Sequence, residues 1–380
     1  MDIYLDLIIN LIKKYINDII LSIRGILMIK INNEDGSNYI KRVYERDFKM
    51  MSSIVFNSLL NKKSESNNYN KLYRFATEDM ATYMPKLDNM NTYLSICGSS
   101  EQIFNGILLG AKNIDVFDIN YFAKHGLMLR VAAIKALTKD ELIKFYSSKL
   151  DLDLFYKILD YLDDYEKSFW YNIINCYGDV LINRLFYKTR LNIDQIIDIN
   201  LYLQDNNYEL IKRLIDDVNI NFIESDLYNL IPFVKNKKYN CINLSNIYEY
   251  LNYDKTASIK KALTYKEFID YLINNNLDND GSIMFAYMYK WNRNVKDYFD
   301  ILYRTNKELV SRYDNKIKKN LYNKGLTYQN LSYSMLYDVF KNFEEIITNT
   351  IIYGNSIEKN HDVALILRKG SYGNSKNNSR

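Results

Sequence analysis

The chain has 380 residues, more than a single domain usually contains, and 48% of them are hydrophobic, which excludes an intrinsically disordered protein. Fifty Lys and Arg residues oppose 46 Asp and Glu residues, so the net charge of +4 gives no strong signal for nucleic-acid binding. Two histidines and three scattered cysteines exclude a multi-histidine metal site and a disulfide framework. We therefore expect a cytoplasmic protein without a metal ion.

The first 70 residues are predicted to form an N-terminal extension. Apolar side chains recur at helical spacing across residues 3–27, and charged residues such as Lys13 and Asp18 interrupt them, which favours an amphipathic helix over a membrane span or signal peptide. This helix would dock on the protein's own core or on a partner subunit, or make peripheral contact with a membrane. A polar linker is predicted to follow and to end near residue 70.

The strongest local pattern is a β-α-β unit in residues 92–118, within a first domain segment predicted over residues 71–120. A short apolar run at 92–97 ends in Gly98, helical spacing follows at 99–109, and a second apolar strand at 113–118 ends in Asp118. Such a unit begins a parallel α/β sheet. Ligands bind such a sheet at the carboxyl ends of its strands.

The remainder of the chain continues the α/β pattern after a long helical interruption. Residues 121–218 carry five or six helical patterns and are interpreted as an inserted helical cap. The sheet then resumes over residues 219–368, with helices predicted around 256–275 and 296–346. The tail, 369–380, is polar and predicted to be disordered. Later strands are expected at 219–224, 239–244, 282–287 and 362–367.

The turn after the first strand points to an adenosine ligand. Gly98 permits a tight turn, and Ser99 and Ser100 place polar groups at a helix start, where an anion is well received. Asp118 follows Gly98 by 20 residues, the spacing at which a carboxylate accepts hydrogen bonds from ribose hydroxyls. Since G-x-G-x-x-G is absent, the polar turn suits S-adenosylmethionine better than a dinucleotide. Alternatively, Gly98 and Asp118 merely cap their elements.

Two segments resemble the class I S-adenosylmethionine-dependent methyltransferase superfamily. They are residues 93–137, which begin YLSICGSSEQIF, and residues 239–251, which read YNCINLSNIYEYL. More narrowly, they are similar to uncharacterised bacterial proteins related to S-adenosylmethionine:diacylglycerol 3-amino-3-carboxypropyl transferase. The resemblance implies a Rossmann-like methyltransferase fold with a mostly parallel sheet, an antiparallel last strand and a helical insertion after the second strand. Ser100 and Glu101 depart from the family's usual second glycine and acidic residue.

The resemblance also assigns roles to individual residues. It assigns six residues to cofactor binding and four residues to the acceptor side. The methionine end is assigned to Gly98, Ser99 and Ser100, the ribose to Asp118 with Asn120 beside it, the adenine to Asp226, and the acceptor side to Asn243, Ser245, Asn246 and Tyr248. Three of the acceptor-side residues, Asn243, Ser245 and Asn246, could instead cap a helix. His125 is expected to pack or cap.

Three functions remain open from the sequence. The first is an S-adenosylmethionine-dependent transferase of unknown acceptor, which would be a small molecule or a lipid. The second is transfer of the 3-amino-3-carboxypropyl group to a lipid or small-molecule headgroup, and the third is a non-catalytic Rossmann-like interaction module. Asn243-Leu244-Ser245-Asn246 is not the (Asp/Asn)-Pro-Pro-(Tyr/Phe) loop that holds a flipped base, which argues against amino-group DNA methylation. The sequence does not determine the oligomeric state.

Overall fold

The computed structural model describes residues 47, 49, 70–147, 151–182, 185–187, 189, 191–250, 258–289, 343–349 and 361–370. The predicted amphipathic helix at residues 3–27 lies outside the described residues, as do nearly all of the linker, most of the predicted helix at 296–346 and the tail after residue 370. Within the described residues, no helix is both long enough and apolar enough to cross a membrane.

A seven-stranded sheet organises the described part of the chain, in the order β3-β2-β1-β4-β5-β7-β6. The first five strands in this order run parallel, and β7 runs antiparallel to both of its neighbours. This arrangement confirms the predicted Rossmann-like class with an antiparallel last strand. The strands are β1 (Thr92–Ile96), β2 (Asn113–Asp118), β3 (Asn219–Glu224), β4 (Tyr239–Asn243), β5 (Leu277–Tyr289), β6 (Glu344–Asn349) and β7 (His361–Arg368).

Helices connect the strands and cover both faces of the sheet. In the described residues, six of them lie between β2 and β3, which agrees with the helical patterns of residues 121–218. The α-helices are α1 (Met80–Tyr83), α2 (Glu101–Leu108), α3 (Phe122–Ala136), α4 (Lys139–Ser147), α5 (Leu152–Leu159), α6 (Asp164–Ile182), α7 (Ile193–Asp198), α8 (Asn207–Leu214), α9 (Ile231–Val234) and α10 (Ser258–Tyr271).

Two apolar cores lie on opposite faces of the sheet, because successive strand residues point to opposite sides. Tyr93 and Cys241 belong to the core that contains α2 to α8, whereas Leu94 and Ile242 belong to the core of α9 and α10. The helices between β2 and β3 therefore share a core with the sheet. Their role as a cap over a pocket remains a prediction.

Two local predictions are wrong. Residues 344–346 were expected to be helical, but they begin β6, which pairs along its length with β7 at the sheet edge. This edge strand, EEIITN, has a helix-compatible composition, and pairing with its partner strand stabilises the extended form. Asp47, expected in a polar linker, has helical backbone and is 2% exposed.

Candidate functional site

The turn after β1 is the centre of the candidate site. Gly98 and Ser100 both have left-handed backbone angles, with φ of +51° and +76°, and the amide of Ser100 donates to the carbonyl of Cys97 at 2.7 Å. A Cβ atom placed on Gly98 would meet no atom closer than Gln102 Oε1 at 4.0 Å. Because glycine has no side chain, the space on the outer face of the turn stays open.

The structure brings Gly98 and Asp118 into direct contact. Asp118 accepts hydrogen bonds from the amide of Gly98 at 3.1 Å and from the amide of Asn120 at 2.9 Å, each on a different carboxylate oxygen. Burial raises the pKa of Asp118 to about 6, although backbone donors from Asn120, Gly98 and Ile119 oppose the increase. Each oxygen retains a lone pair, so the carboxylate can also accept from a diol.

Residues 70–79, called the leading segment, run along the carboxyl edge of the sheet before β1 begins. Asn70 and Asn120 exchange two hydrogen bonds of 3.0 Å at the end of β2. Further along, the amide of Ala76 donates to Glu101 at 3.3 Å, and Glu78 reaches Ser245 after β4. The leading segment thus passes three strand ends, and Asn120 anchors it.

The start of α2 differs from the expected anion site. Glu101 is completely buried, and its carboxylate pairs with Arg130 and accepts from the side chain of Ser99. Burial raises the pKa of Glu101, and Arg130 opposes that rise. A carboxylate of the chain itself therefore lies where a ligand's anion was expected at Ser99 and Ser100. The packing does not support a ligand anion there.

A second buried carboxylate, Glu78, was missed by sequence reasoning. It accepts from the hydroxyl of Tyr83, from Gln102 Nε2 at 3.1 Å and from Ser245 Oγ at 2.8 Å. Burial raises the pKa of Glu78, and the three side-chain donors oppose the increase. No motif marks Glu78 in the sequence, since Ser245 lies 167 residues away.

The predicted acceptor residues divide between the site and the core. Ser245, with φ of +45°, faces Glu78, whereas Asn243 is fully buried and binds Tyr93 Oη at 3.0 Å and the amide of Ser245 at 2.9 Å. Asn246 is partly exposed. Tyr248 is 2% exposed, and its ring centroid lies 5.1 Å from that of Tyr265 in the core beside α10. This packing gives Tyr248 a structural role, and its acceptor role stays a prediction.

Asp226, the residue assigned to adenine, is held by its own loop. Its two carboxylate oxygens accept from the amide and the side chain of Asn229, both at 2.8 Å. The neighbouring Ser225 donates its amide to the carbonyl of Asp118 at 3.1 Å, so the loop lies beside Asp118. Contact between Asp226 and a ligand stays a prediction.

A cleft opens beside the Gly98 turn. Asp118, which accepts the amide of the cleft residue Gly98, retains lone pairs that would accept hydrogen bonds from the ribose diol of a nucleoside such as S-adenosylmethionine. Among the described residues, no cluster of three or more His, Cys, Asp or Glu side chains could hold a metal ion. The cleft is lined by Leu72, Tyr73, Gly98, Ser99, Ser100, Ala123, Gly126, Arg130, Tyr146 and Phe186.

Comparison with known proteins gives structural likeness only. No family model matches the chain, and no curated protein matches it either. The rRNA methyltransferase AviRa from Streptomyces viridochromogenes is similar with a TM-score of 0.34 and 8% identity, covering 82% of this chain and 91% of that one. An rRNA methylase from Streptococcus thermophilus has a TM-score of 0.26 and 8% identity, covering 74% and 88%. The fold assignment depends on strand order and direction, as described above.

Proposed function

We propose that the chain is an S-adenosylmethionine-dependent transferase of the class I methyltransferase-like type. The observation that carries the proposal is the contact between the open Gly98 turn and the carboxylate of Asp118 at the ends of β1 and β2. In a parallel sheet this is the edge where ligands bind, and a carboxylate after the second strand is suited to a ribose diol.

The chain's residues would contribute binding, orientation and exclusion of water. Asp118 would accept from the ribose hydroxyls, and Gly98 would allow the ligand to approach the backbone closely. The leading segment would form one wall of the cleft, since it contacts residues after β2 and β4. When bound, S-adenosylmethionine supplies an activated sulfonium carbon with its own leaving group, so positioning of the acceptor is the protein's main task.

The identities of the acceptor and of the transferred group are separate, more specific proposals. Transfer of a 3-amino-3-carboxypropyl group to a lipid or small-molecule headgroup is supported by the sequence resemblance alone. The amphipathic pattern of residues 3–27 would bring the protein to a membrane in that case.

A non-catalytic interaction module is the rival function, and one observation favours it. Tyr248 and Asn243, both assigned to the acceptor side, are buried in the two cores. Turnover of S-adenosylmethionine with any fraction of a cell extract would exclude this rival.

The proposal is tested by calorimetric titration with S-adenosylmethionine and S-adenosylhomocysteine, with ATP and NAD as control ligands. We expect micromolar binding of the first two and about 100-fold weaker binding by Asp118→Ala, since two hydrogen bonds to a charged acceptor are removed. Asp198→Ala, which removes an exposed carboxylate at the end of α7, is the matched control and should bind as the wild type does. Wild-type protein that binds neither ligand would refute the proposal.

Ligand affinity should also depend on pH through Asp118. Its pKa is raised to about 6, so protonation below that pH removes the acceptor that the ribose hydroxyls need. We expect the Kd of S-adenosylhomocysteine to be constant from pH 8 to pH 7 and to rise about tenfold for each unit below the pKa. Titrations in Asp118→Asn should show weak binding that is nearly independent of pH. A steep dependence retained in that variant would assign the effect to another group.

A further inference from the structure

The two parts of the leading segment are held in different ways. In the second part, residues 74–79, the carbonyl of Arg74 accepts from the buried guanidinium of Arg130. The buried carboxylate of Glu78 accepts from Ser245 Oγ at 2.8 Å. Since hydrogen bonds to charged groups are stronger than neutral ones, these contacts fix the second part to the body of the protein.

The first part of the leading segment, residues 70–73, meets the helical insertion through a short parallel bridge. Leu72 donates its amide to the carbonyl of Leu185 and accepts from the amide of Tyr187, both at 2.8 Å. Tyr73 is 47% exposed and Tyr187 is 40% exposed, and their rings stack with centroids 4.8 Å apart. A single bridge flanked by exposed rings is a small contact, so the first part can open at a lower free-energy cost than the second.

The side chain of Leu72 holds the first part against α3. Leu72 is 5% exposed and lines the cleft together with Gly126 and Phe186. A Cβ atom placed on Gly126 would lie 2.4 Å from Leu72 Cδ1, so any side chain at position 126 would displace the leucine. The glycine on α3 therefore allows Leu72 to approach the helix closely and to narrow the cleft.

The cleft that remains is smaller than a nucleoside cofactor needs. It contains about 230 Å³ of space, with its solvent-open side included. Pockets for drug-sized ligands usually have volumes of about 300–1,000 Å³. Leu72 and Tyr73 form the wall that the leading segment contributes, whereas the opposite wall belongs to α3 and the Gly98 turn, which pack on the sheet. Movement of residues 70–73 is therefore the smallest change that enlarges the cleft.

We propose that residues 70–73 are a gate that swings away from α3 before a ligand enters the cleft, and that Leu72 holds this gate closed. The inference rests on the proposed function, because it assumes a ligand of the size of S-adenosylmethionine in this cleft. The closed arrangement excludes the ligand, so the ligand binds only the open state. Its apparent affinity is then the intrinsic affinity reduced by the fraction of molecules that are open.

A disulfide between positions 72 and 126 tests the gate directly. Leu72 Cγ, whose place a cysteine Sγ would take, lies 3.5 Å from the Cβ position of Gly126, which a disulfide can span after a small adjustment. For oxidised Leu72→Cys/Gly126→Cys we expect the Kd of S-adenosylhomocysteine, measured by calorimetry, to be about 100-fold higher than for the reduced protein. The two single variants retain the native cysteines and should bind equally with and without a reductant.

Leu72→Ala tests the gate without a disulfide. A leucine that served only as a wall would weaken binding when truncated, whereas loss of a leucine that holds the gate closed raises the open fraction, so we expect the Kd of S-adenosylhomocysteine to fall about fivefold. The matched control is Leu191→Ala, which truncates a leucine that is 8% exposed in the same core and is not among the residues that line the cleft. It should bind as the wild type does.

Two results would overturn the gate. They are equal affinity of the oxidised and reduced double variant, and weaker or unchanged binding by Leu72→Ala. If the disulfide does not form or the double variant does not fold, the result for Leu72→Ala decides. Wild-type protein that binds neither S-adenosylmethionine nor S-adenosylhomocysteine would instead refute the proposed function itself.

Discussion

Helix α3 carries two buried basic side chains that contact carboxylates in different ways. Arg130 pairs with Glu101 under the Gly98 turn, and its guanidinium carbon lies 3.8 Å from the ring centroid of Tyr146. His125 lies between two carboxylates, at 2.8 Å from Glu166 and 3.3 Å from Asp47, and its ring stacks on Phe169. Five residues apart on a helix, the two side chains point to different sides.

Arg130 and His125 differ in how their charge depends on pH. Burial lowers the pKa of Arg130, but Glu101 and neighbouring tyrosines outweigh it, so the guanidinium stays charged at every physiological pH. Burial also lowers the pKa of His125, and Glu166 and Asp47 raise it above the usual value, yet an imidazole still loses its proton at higher pH. The charge of Arg130 under the candidate site is thus independent of pH, whereas the attachment of Asp47 to α3 and α6 depends on pH.

The largest effect is expected from breaking the arginine pair. Arg130→Met leaves the fully buried Glu101 carboxylate without its cation, and we expect the free energy of unfolding in urea to fall by about 3–5 kcal/mol. The double variant Arg130→Met/Glu101→Leu removes both charges and should regain most of this loss. A double variant no more stable than the single one would show that lost packing, not the unpaired charge, causes the effect.

A pH-dependent effect is expected from the histidine. Because its pKa is raised in the folded state, the protonated form stabilises the protein below the unfolded pKa of about 6.5, and this stabilisation is lost as pH rises through the folded pKa. We expect His125→Gln to lower the free energy of unfolding by about 2 kcal/mol at pH 5.5 and by much less at pH 9. A difference from the wild type that is equal at both pH values would contradict this account.

The smallest effect is expected from Tyr165, whose hydroxyl donates to Asp47 at 2.6 Å. Tyr165→Phe keeps the ring that stacks beside His125 and removes one donor to a carboxylate, so a loss of about 1 kcal/mol is expected in urea unfolding. Tyr161→Phe, a change at an exposed tyrosine nearby in the chain, is the control and should have no measurable effect. An equal loss in both variants would show that the hydrogen bond from Tyr165 to Asp47 does not contribute to stability.

The sequence predicted most of the fold because the strands next to the site are short apolar runs with clear ends. Residues 113–118 and 219–224 were predicted with the bounds that β2 and β3 have. The strand predicted at residue 282 begins instead at Leu277, directly after a π-helical turn at Leu272–Asn276. The edge strand β6 was missed, since its extended form depends on pairing with β7 and not on its own pattern.

The sequence by itself determined the part of the candidate site formed by Gly98 and Asp118. Gly98 and Asp118 meet because a β-α-β unit places the ends of neighbouring parallel strands side by side, and this follows from local order along the chain. Only the tertiary structure decided the rest. Glu78 finds Gln102 and Ser245 at separations of 24 and 167 residues, and Arg130 neutralises Glu101 from another helix. Those partners are determined by burial and by contacts between residues that are far apart in the chain. Such contacts leave no periodicity and no fixed spacing in the sequence.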